Sequence, residues 1–168
     1  PLFAMRNFIK DFSFDTSLSI TRNQDSPLER KTNFVIDGQQ RMQTFYIGLT
    51  GSFEGKIMYF NLFSDRKEEF EFAFSNDENK LPKQEKDDDG EEKEKLWFPV
   101  PTLFQKFSYD GLSLSSVSND IIKSSQIVDE KRSEVVRHNI EKFYLSIFME
   151  KSIGIAKVER DGDLDDVG

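Results

Sequence analysis

Residues 34–49 have the sequence FVIDGQQRMQTFYIGL, which predicts a strand, a tight turn and a helix in succession. The three apolar residues at its start are typical of a short buried strand, and the Asp-Gly pair that follows favours a turn. Apolar residues then recur at positions 42, 45, 46 and 49, which is the spacing of one face of a helix. We therefore expect an interior strand over residues 33–36 and a helix over residues 39–50, packed on the same sheet.

The start of this predicted helix has the chemistry of an anion-binding site. Asp37 stands at the expected N-cap, with Gln40 as its capping-box partner. The first N–H groups of a helix lack intrahelical acceptors, and together with the helix dipole they attract negative charge. Gly38 permits a ligand to approach the backbone closely. Gln39 and Gln40 offer amide donors, and Arg41 adds a planar guanidinium that suits phosphate oxygens.

The roles of the two charged residues stay open on this pattern alone. Asp37 could hold a metal ion, orient a water molecule or accept a hydrogen bond from a ribose hydroxyl. The same residues also fit a structural alternative, because strand–turn–helix units are ordinary architecture. In that alternative the turn only starts a capped helix, Arg41 pairs with a neighbouring carboxylate, and Gly51 ends the helix as its C-cap.

The five residues Asp37-Gly38-Gln39-Gln40-Arg41, with apolar residues before them and a predicted helix after them, resemble the signature of the DGQQR family. This family is domain of unknown function 262. It is similar to the S part of Gmr-type, modification-dependent restriction enzymes, and its fold resembles the ParB/sulfiredoxin class. The resemblance implies phosphate binding by residues 38–41, catalytic roles for Asp37 and Arg41, and metal binding by Asp37.

The resemblance also implies partners. In that family the motif is linked to binding and hydrolysis of a nucleoside triphosphate, for which we expect a divalent cation as well. Hydrolysis licenses DNA cleavage by a separate nuclease domain, here expected to be of HNH type. The resemblance therefore predicts a bacterial, cytoplasmic protein that meets DNA only through the full-length system.

Segments on both sides of the motif extend the likeness. Pro1-Leu2-Phe3 resembles the family segment ahead of the motif, and the aromatic strands after Gly55 resemble the segment behind it. The family usually carries a further stretch with Gln-Arg and Trp before this region. It also carries a Phe-x-Arg-x-Asn motif after an acidic segment such as Asp163-Leu164-Asp165-Asp166. We therefore expect residues 1–168 to be a single-domain fragment, truncated at both ends.

Composition narrows the chemistry. The chain has 168 residues, 17 Phe and a net charge of −8, so it can bury a core while its surface as a whole repels nucleic acid. It has no Cys, which excludes disulfides, thiolate zinc sites and Cys nucleophiles. The single histidine, His138, counts against a His-based nuclease centre within this chain. No apolar run is long enough to span a membrane.

The remaining pattern predicts an α+β fold with a mixed sheet and a C-terminal helical segment. Residues 57–63 and 70–74 are expected to form a hairpin through Asp65-Arg66-Lys67, and the second strand has one solvent-facing side. The other expected elements are an edge strand at 97–101, a short helix at 103–107, a connection at 110–118, a helix from Asn119 or Asp120 to about 128, a longer helix at 129–151 and a final strand at 152–158.

Residues 76–95 are strongly charged and have almost nothing to bury. Because ordering such a segment costs more than its burial returns, we expect a flexible surface insert. Its run Asp87-Asp88-Asp89 could collect a divalent cation, but contiguous acids lack the alternating ligands of a calcium loop.

Three functions follow as hypotheses. The first is a nucleotide-binding, and through hydrolysis NTPase, sensor domain of a restriction or phage-defence system. No Walker A pattern is present, so a P-loop mechanism is excluded at the motif level. The second is a non-catalytic interaction or scaffold domain that uses the motif structurally and the acidic insert as a tether. The third, a ParB-like nuclease, follows from the fold resemblance alone.

Overall fold

The computed structural model describes residues 10–13, 38–64, 70–86, 90 and 92–150. This part of the chain has a mixed α+β fold with four α-helices and three small sheets, which confirms the predicted fold class at that level. The strands predicted at 33–36 and 152–158 and the turn predicted at 65–67 lie outside the described residues.

The elements follow one another along the chain with short connections. The strands are β1 (Asp11–Phe12), β2 (Ser52–Phe53), β3 (Ile57–Asn61), β4 (Phe72–Ser75), β5 (Gln84–Lys86), β6 (Glu92–Glu94) and β7 (Trp97–Pro99). The helices are α1 (Gln39–Thr50), α2 (Val100–Ser108), α3 (Leu114–Ser124) and α4 (Glu130–Tyr144), with a 3₁₀ turn at Glu78–Lys80 and a π-helical turn at Leu145–Met149.

The largest sheet has the strand order β4-β3-β7, and both pairings are antiparallel. This confirms the predicted hairpin and the predicted edge position of the segment that contains Pro99. Proline has no N–H to give to a second neighbour, so an edge strand accommodates it. The central strand β3 is buried on both faces, with Tyr59 6% and Phe60 1% exposed.

Three helices cover this sheet and form the core with it. Helix α2 follows β7 directly, and α3 packs against α4. The buried cluster comprises Phe60, Leu62, Val100, Leu103, Phe107, Val117, Ile121, Val136, Ile140 and Phe143. The predicted inner face of the long helix is thereby confirmed for its three residues in this cluster, which repeat at helical spacing.

The start of α3 differs from the prediction. The helix begins at Leu114, and the Ser113 hydroxyl caps it by accepting a hydrogen bond from the Ser116 N–H at 3.2 Å. The expected caps, Asn119 and Asp120, lie inside the helix. Serine is a strong N-cap because its oxygen replaces a missing intrahelical acceptor, so the Ser-rich segment starts a helix here instead of forming a connection.

The exposed side of β4 carries aromatic residues. Phe72 and Phe74 are each 46% exposed, while Glu71, just before the strand, is partly buried. The Glu71 carboxylate accepts hydrogen bonds from the Asn61 amide at 2.9 Å and from the Lys95 ammonium at 2.5 Å. These partners draw Glu71 inward, so the alternation of Phe with polar residues does not separate a dry from a wet face.

The charged insert has secondary structure, which the sequence did not indicate. Strands β5 and β6 pair antiparallel, with Glu85 opposite Lys93. The Trp97 indole N–H donates to the Pro82 carbonyl at 2.8 Å, and Arg132 of α4 pairs with Glu94 at 2.6 Å. The expectation of an unstructured segment is therefore wrong for β5 and β6, whereas its mobility stays a prediction. Residues 87–89 lie outside the described residues.

Candidate functional site

The motif helix α1 begins one residue later than its predicted cap implies. Gly38 is the N-cap, in the left-handed conformation with φ 75° and ψ 13°, and its carbonyl accepts the Met42 N–H at 3.0 Å. The assignment of Asp37 as N-cap is therefore wrong, and Gln40 completes no capping box, because glycine has no side chain with which to cap. Asp37 itself lies outside the described residues.

The polar residues of the motif face solvent at this helix start. Gln39, Gln40 and Arg41 are all exposed, and the first turn of α1 contains no acidic residue. A helix N-terminus without an acid keeps the positive end of its dipole uncompensated by side chains of that turn. The geometry therefore suits an incoming anion.

Arg41 lies over the N-cap. Its Nη2 atom is 3.9 Å from the position that a Cβ on Gly38 would occupy. This placement follows from helix geometry, because long side chains lean toward the N-terminus of their helix. Within the described residues the ion pairs involve Lys95, Arg132 and Arg137, and no carboxylate pairs with Arg41. The structural alternative, in which Arg41 pairs with a neighbouring acid, finds no partner in this part of the chain.

The far end of α1 fixes the helix to the fold. Ile47 and Gly48 are its buried residues, and a Cβ on Gly48 would lie 3.4 Å from the Met58 Cε of β3. The Gly51 N–H donates to the Ile47 carbonyl at 2.9 Å, which confirms Gly51 as the C-cap. The helix therefore packs on the sheet, as predicted, through its C-terminal half.

The buried face of α1 is not the predicted one throughout. Phe45 is 50% and Tyr46 38% exposed, although both belong to the apolar stripe. Met42 and Leu49 are partly buried, and Leu49 packs against the core. Gly48 explains the shift, because the absence of a side chain there lets β3 approach the helix on that side.

The described part of the site binds anions better than it binds metals. Among the described residues no group of three or more His, Asp or Glu side chains is placed to hold a metal ion. Asp37 supplies one carboxylate, and Mg²⁺ is commonly held by one or two carboxylates together with substrate phosphates. The chemistry of the donor set thus fits a divalent cation only when phosphates contribute ligands.

One charged cluster was missed by the sequence reasoning. The Lys95 side chain, 7% exposed, pairs with Glu71 and Glu85 and lies 5.7 Å from the Trp97 ring centroid. The only local signal is the proximity of a lysine to a tryptophan in the sequence, which is too common to predict a contact. His138, the single histidine, is a partly buried residue of α4.

Comparison with protein-family models, with curated proteins and with solved structures finds no match to this chain. Over the described residues, the helices are too short or too polar to cross a bilayer. The likeness to the DGQQR family thus stays a prediction from the motif and its sequence context.

Proposed function

We propose that residues 38–41 bind the phosphates of a nucleoside triphosphate. The observation that carries this proposal is the position of Arg41, an exposed guanidinium beside the N-cap glycine with no carboxylate partner among the described residues. Free helix N–H groups and a guanidinium on the same turn form a recurring kind of phosphate site. The exposed amides of Gln39 and Gln40 add donors at the same end of the helix.

In this proposal Arg41 neutralises phosphate charge and Asp37 provides the carboxylate for a divalent cation. When bound, such a cation supplies charge neutralisation for the phosphoryl group. The residues of this chain bind and orient the phosphates. Hydrolysis needs more convergent groups than the described turn contains, so the proposal places binding first and NTPase activity second.

The biological setting follows from the motif resemblance. We propose a sensor or regulatory domain of a bacterial restriction or phage-defence system, acting with an HNH-type nuclease domain. The net charge of −8 supports contact with DNA through the full-length system rather than through this surface. A ParB-like/sulfiredoxin-like topology belongs to the same proposal.

Calorimetric titration with ATP or GTP and Mg²⁺ tests the phosphate site in the full-length protein. Arg41→Ala should lose a charge-assisted contact of roughly 1.5–3 kcal/mol, which is about ten- to hundred-fold in affinity. Arg41→Lys should recover only part of this, because an ammonium cannot reproduce the planar fork. Arg137→Ala is the matched control, since Arg137 is exposed and pairs with Glu130 on α4. Equal affinity in the Arg41 and Arg137 variants would refute the site.

The metal role of Asp37 needs a separate measurement. Asp37→Asn removes the charge while keeping a similar shape, so we expect weaker Mg²⁺-dependent turnover. Nucleotide binding without Mg²⁺ should change less. Turnover equal to that of the unchanged protein would remove Asp37 from the proposal.

A second candidate is a non-catalytic interaction domain. The exposed aromatic side of β4 favours it, with Phe70 40% and Phe72 and Phe74 each 46% exposed, because such patches commonly serve contacts with partners. The acidic hairpin, held to the fold, would then present charge to a partner. The two candidates differ in the calorimeter, since an interaction domain gives no heat with nucleotide in any variant.

A further inference from the structure

A cleft with a different chemistry lies beside the other end of α1. It encloses about 260 Å³ between the C-terminal half of α1, the helix α2 and the segment that leads into β1. Its lining residues are Lys10, Tyr46, Thr50, Pro101, Thr102, Phe104, Gln105 and Tyr109. From Arg41 to Thr50 the helix rises by roughly 14 Å, so the cleft is separate from the phosphate turn.

The charge in this cleft has one sign. Lys10 is the cation, and no Asp or Glu lines the cleft, although acids outnumber bases in the chain by 31 to 23. Among the described residues no carboxylate pairs with Lys10. The neighbouring acid, Asp11, accepts a hydrogen bond from the Ser52 hydroxyl at 2.8 Å. An exposed ammonium in an otherwise neutral cleft attracts a single negative charge.

The walls of the cleft are aromatic and bear hydrogen-bonding groups. Tyr46, Phe104 and Tyr109 supply three rings, and the Phe104 ring is held by stacking on Phe148 at 5.3 Å between centroids. Thr102 and Gln105, three positions apart on α2, add a hydroxyl and an amide. Ligand sites typically combine apolar walls with a few polar groups that fix orientation.

We infer that this cleft binds a small aromatic carboxylate, with its charge at the Lys10 ammonium and its ring against the aromatic walls. A single cation suits a monoanion. The volume lies just below the range of about 300–1,000 Å³ typical of ligand pockets, so it suits one ring rather than a fused system. Thr102 and Gln105 are the residues available to hydrogen-bond the carboxylate.

Amide NMR titration of the full chain with three probes tests this inference. Benzoate has both ring and charge, acetate has only the charge, and benzyl alcohol has only the ring. Benzoate should shift the amide signals of residues 46–50 and 101–109 with a dissociation constant on the order of 1 mM. The other two probes should bind at least about ten-fold more weakly, because each lacks one half of the recognition. Similar binding of all three probes would overturn the inference.

Variants separate the two contributions. Lys10→Gln should weaken benzoate about ten-fold, whereas Lys56→Gln, an exposed lysine outside the cleft, should not. Tyr109→Ala should also weaken it, and because Tyr109 is 76% exposed the fold should survive. Val128→Ala, at a position 95% exposed, is the control for that change. An unchanged benzoate affinity in Lys10→Gln would refute the site, while Arg41→Ala should leave this affinity unaltered and so distinguish the cleft from the phosphate turn.

Discussion

The start of α1 and the acidic hairpin use their cations in opposite ways. Arg41 is exposed and makes no ion pair within the described residues, whereas the Lys95 side chain is 7% exposed and pairs with Glu71 and Glu85. The first cation is left for a ligand, and the second is used by the fold. The sequence pattern suggested the reverse emphasis, with an ordered motif and an unstructured insert.

The electrostatics of the hairpin agree with a structural role. Burial lowers the pKa of Lys95, but the hydrogen bonds and charges of Glu71 and Glu85 outweigh burial, so the pKa is raised above its ordinary value of 10.5. The hydrogen bond and charge of Lys95 lower the pKa of Glu85 from 4.5. Each shift favours the charged form, so the folded state stabilises this pair as ions.

The largest effect is expected at the end of α1. In Gly51→Ala the new Cβ would lie 1.7 Å from the Lys10 carbonyl oxygen, so the backbone of the β1–β2 pair or the helix end must move. We expect a loss of about 3 kcal/mol in the free energy of unfolding, measured by urea denaturation.

Gly55→Ala is the matched control for that change. Nothing lies within 4 Å of its Cβ position, and only its φ of +69° opposes alanine. The cost should be about 1 kcal/mol. A Gly51 variant no less stable than the Gly55 variant would show that α1 is not held at this point.

The next largest effect is expected at Lys95. Lys95→Gln removes the ammonium from two carboxylates, and because both are partly exposed we expect a loss of about 1–2 kcal/mol. Hydrogen exchange should quicken in β5 and β6. Lys83→Gln, an exposed position in the same insert, should change stability by less than about 0.5 kcal/mol. Equal exchange in the two variants would mean that Lys95 does not hold the hairpin.

The same pair predicts a pH dependence. A raised Lys95 pKa contributes stability that is complete below 10.5 and is lost as the pH rises through the higher folded value. A lowered Glu85 pKa contributes stability that is present above 4.5 and is lost as the pH falls through the lower folded value. Protection of β5 and β6 should therefore fall at both extremes, and Lys95→Gln should flatten both limbs. Unchanged limbs in that variant would assign the dependence to other groups.

Local patterns predicted much of this architecture. The helical spacing gave α1, α2 and α4, and the Phe-rich alternation gave the β3–β4 hairpin, because these signals lie within one or two elements. Asp129 begins α4 by accepting the Lys131 N–H at 2.7 Å, as its sequence position indicated. Caps are less certain, since Gly38 and Ser113 replaced the expected residues.

Long-range contacts account for what the patterns could not show. Lys95 and Glu71 are 24 residues apart in the sequence, and nothing local pairs them. The buried side of α1 depends on the approach of Met58 to Gly48, which only the packed fold determines. The cleft beside Lys10 likewise exists only once α1 and α2 pack together. Polar residues in particular are assigned to ligand or to fold by their tertiary partners.

The smallest effect on stability is expected at Arg41, where the comparison becomes sharpest. Arg41→Ala removes an exposed side chain with no ion pair among the described residues, so the free energy of unfolding should change by less than about 0.5 kcal/mol. Nucleotide affinity should nevertheless fall about ten- to hundred-fold, as the phosphate site requires. Thermal unfolding with and without nucleotide measures both, because a ligand that binds the native state raises the melting temperature. A variant that loses about 1 kcal/mol or more without nucleotide would show that Arg41, like Lys95, serves the fold.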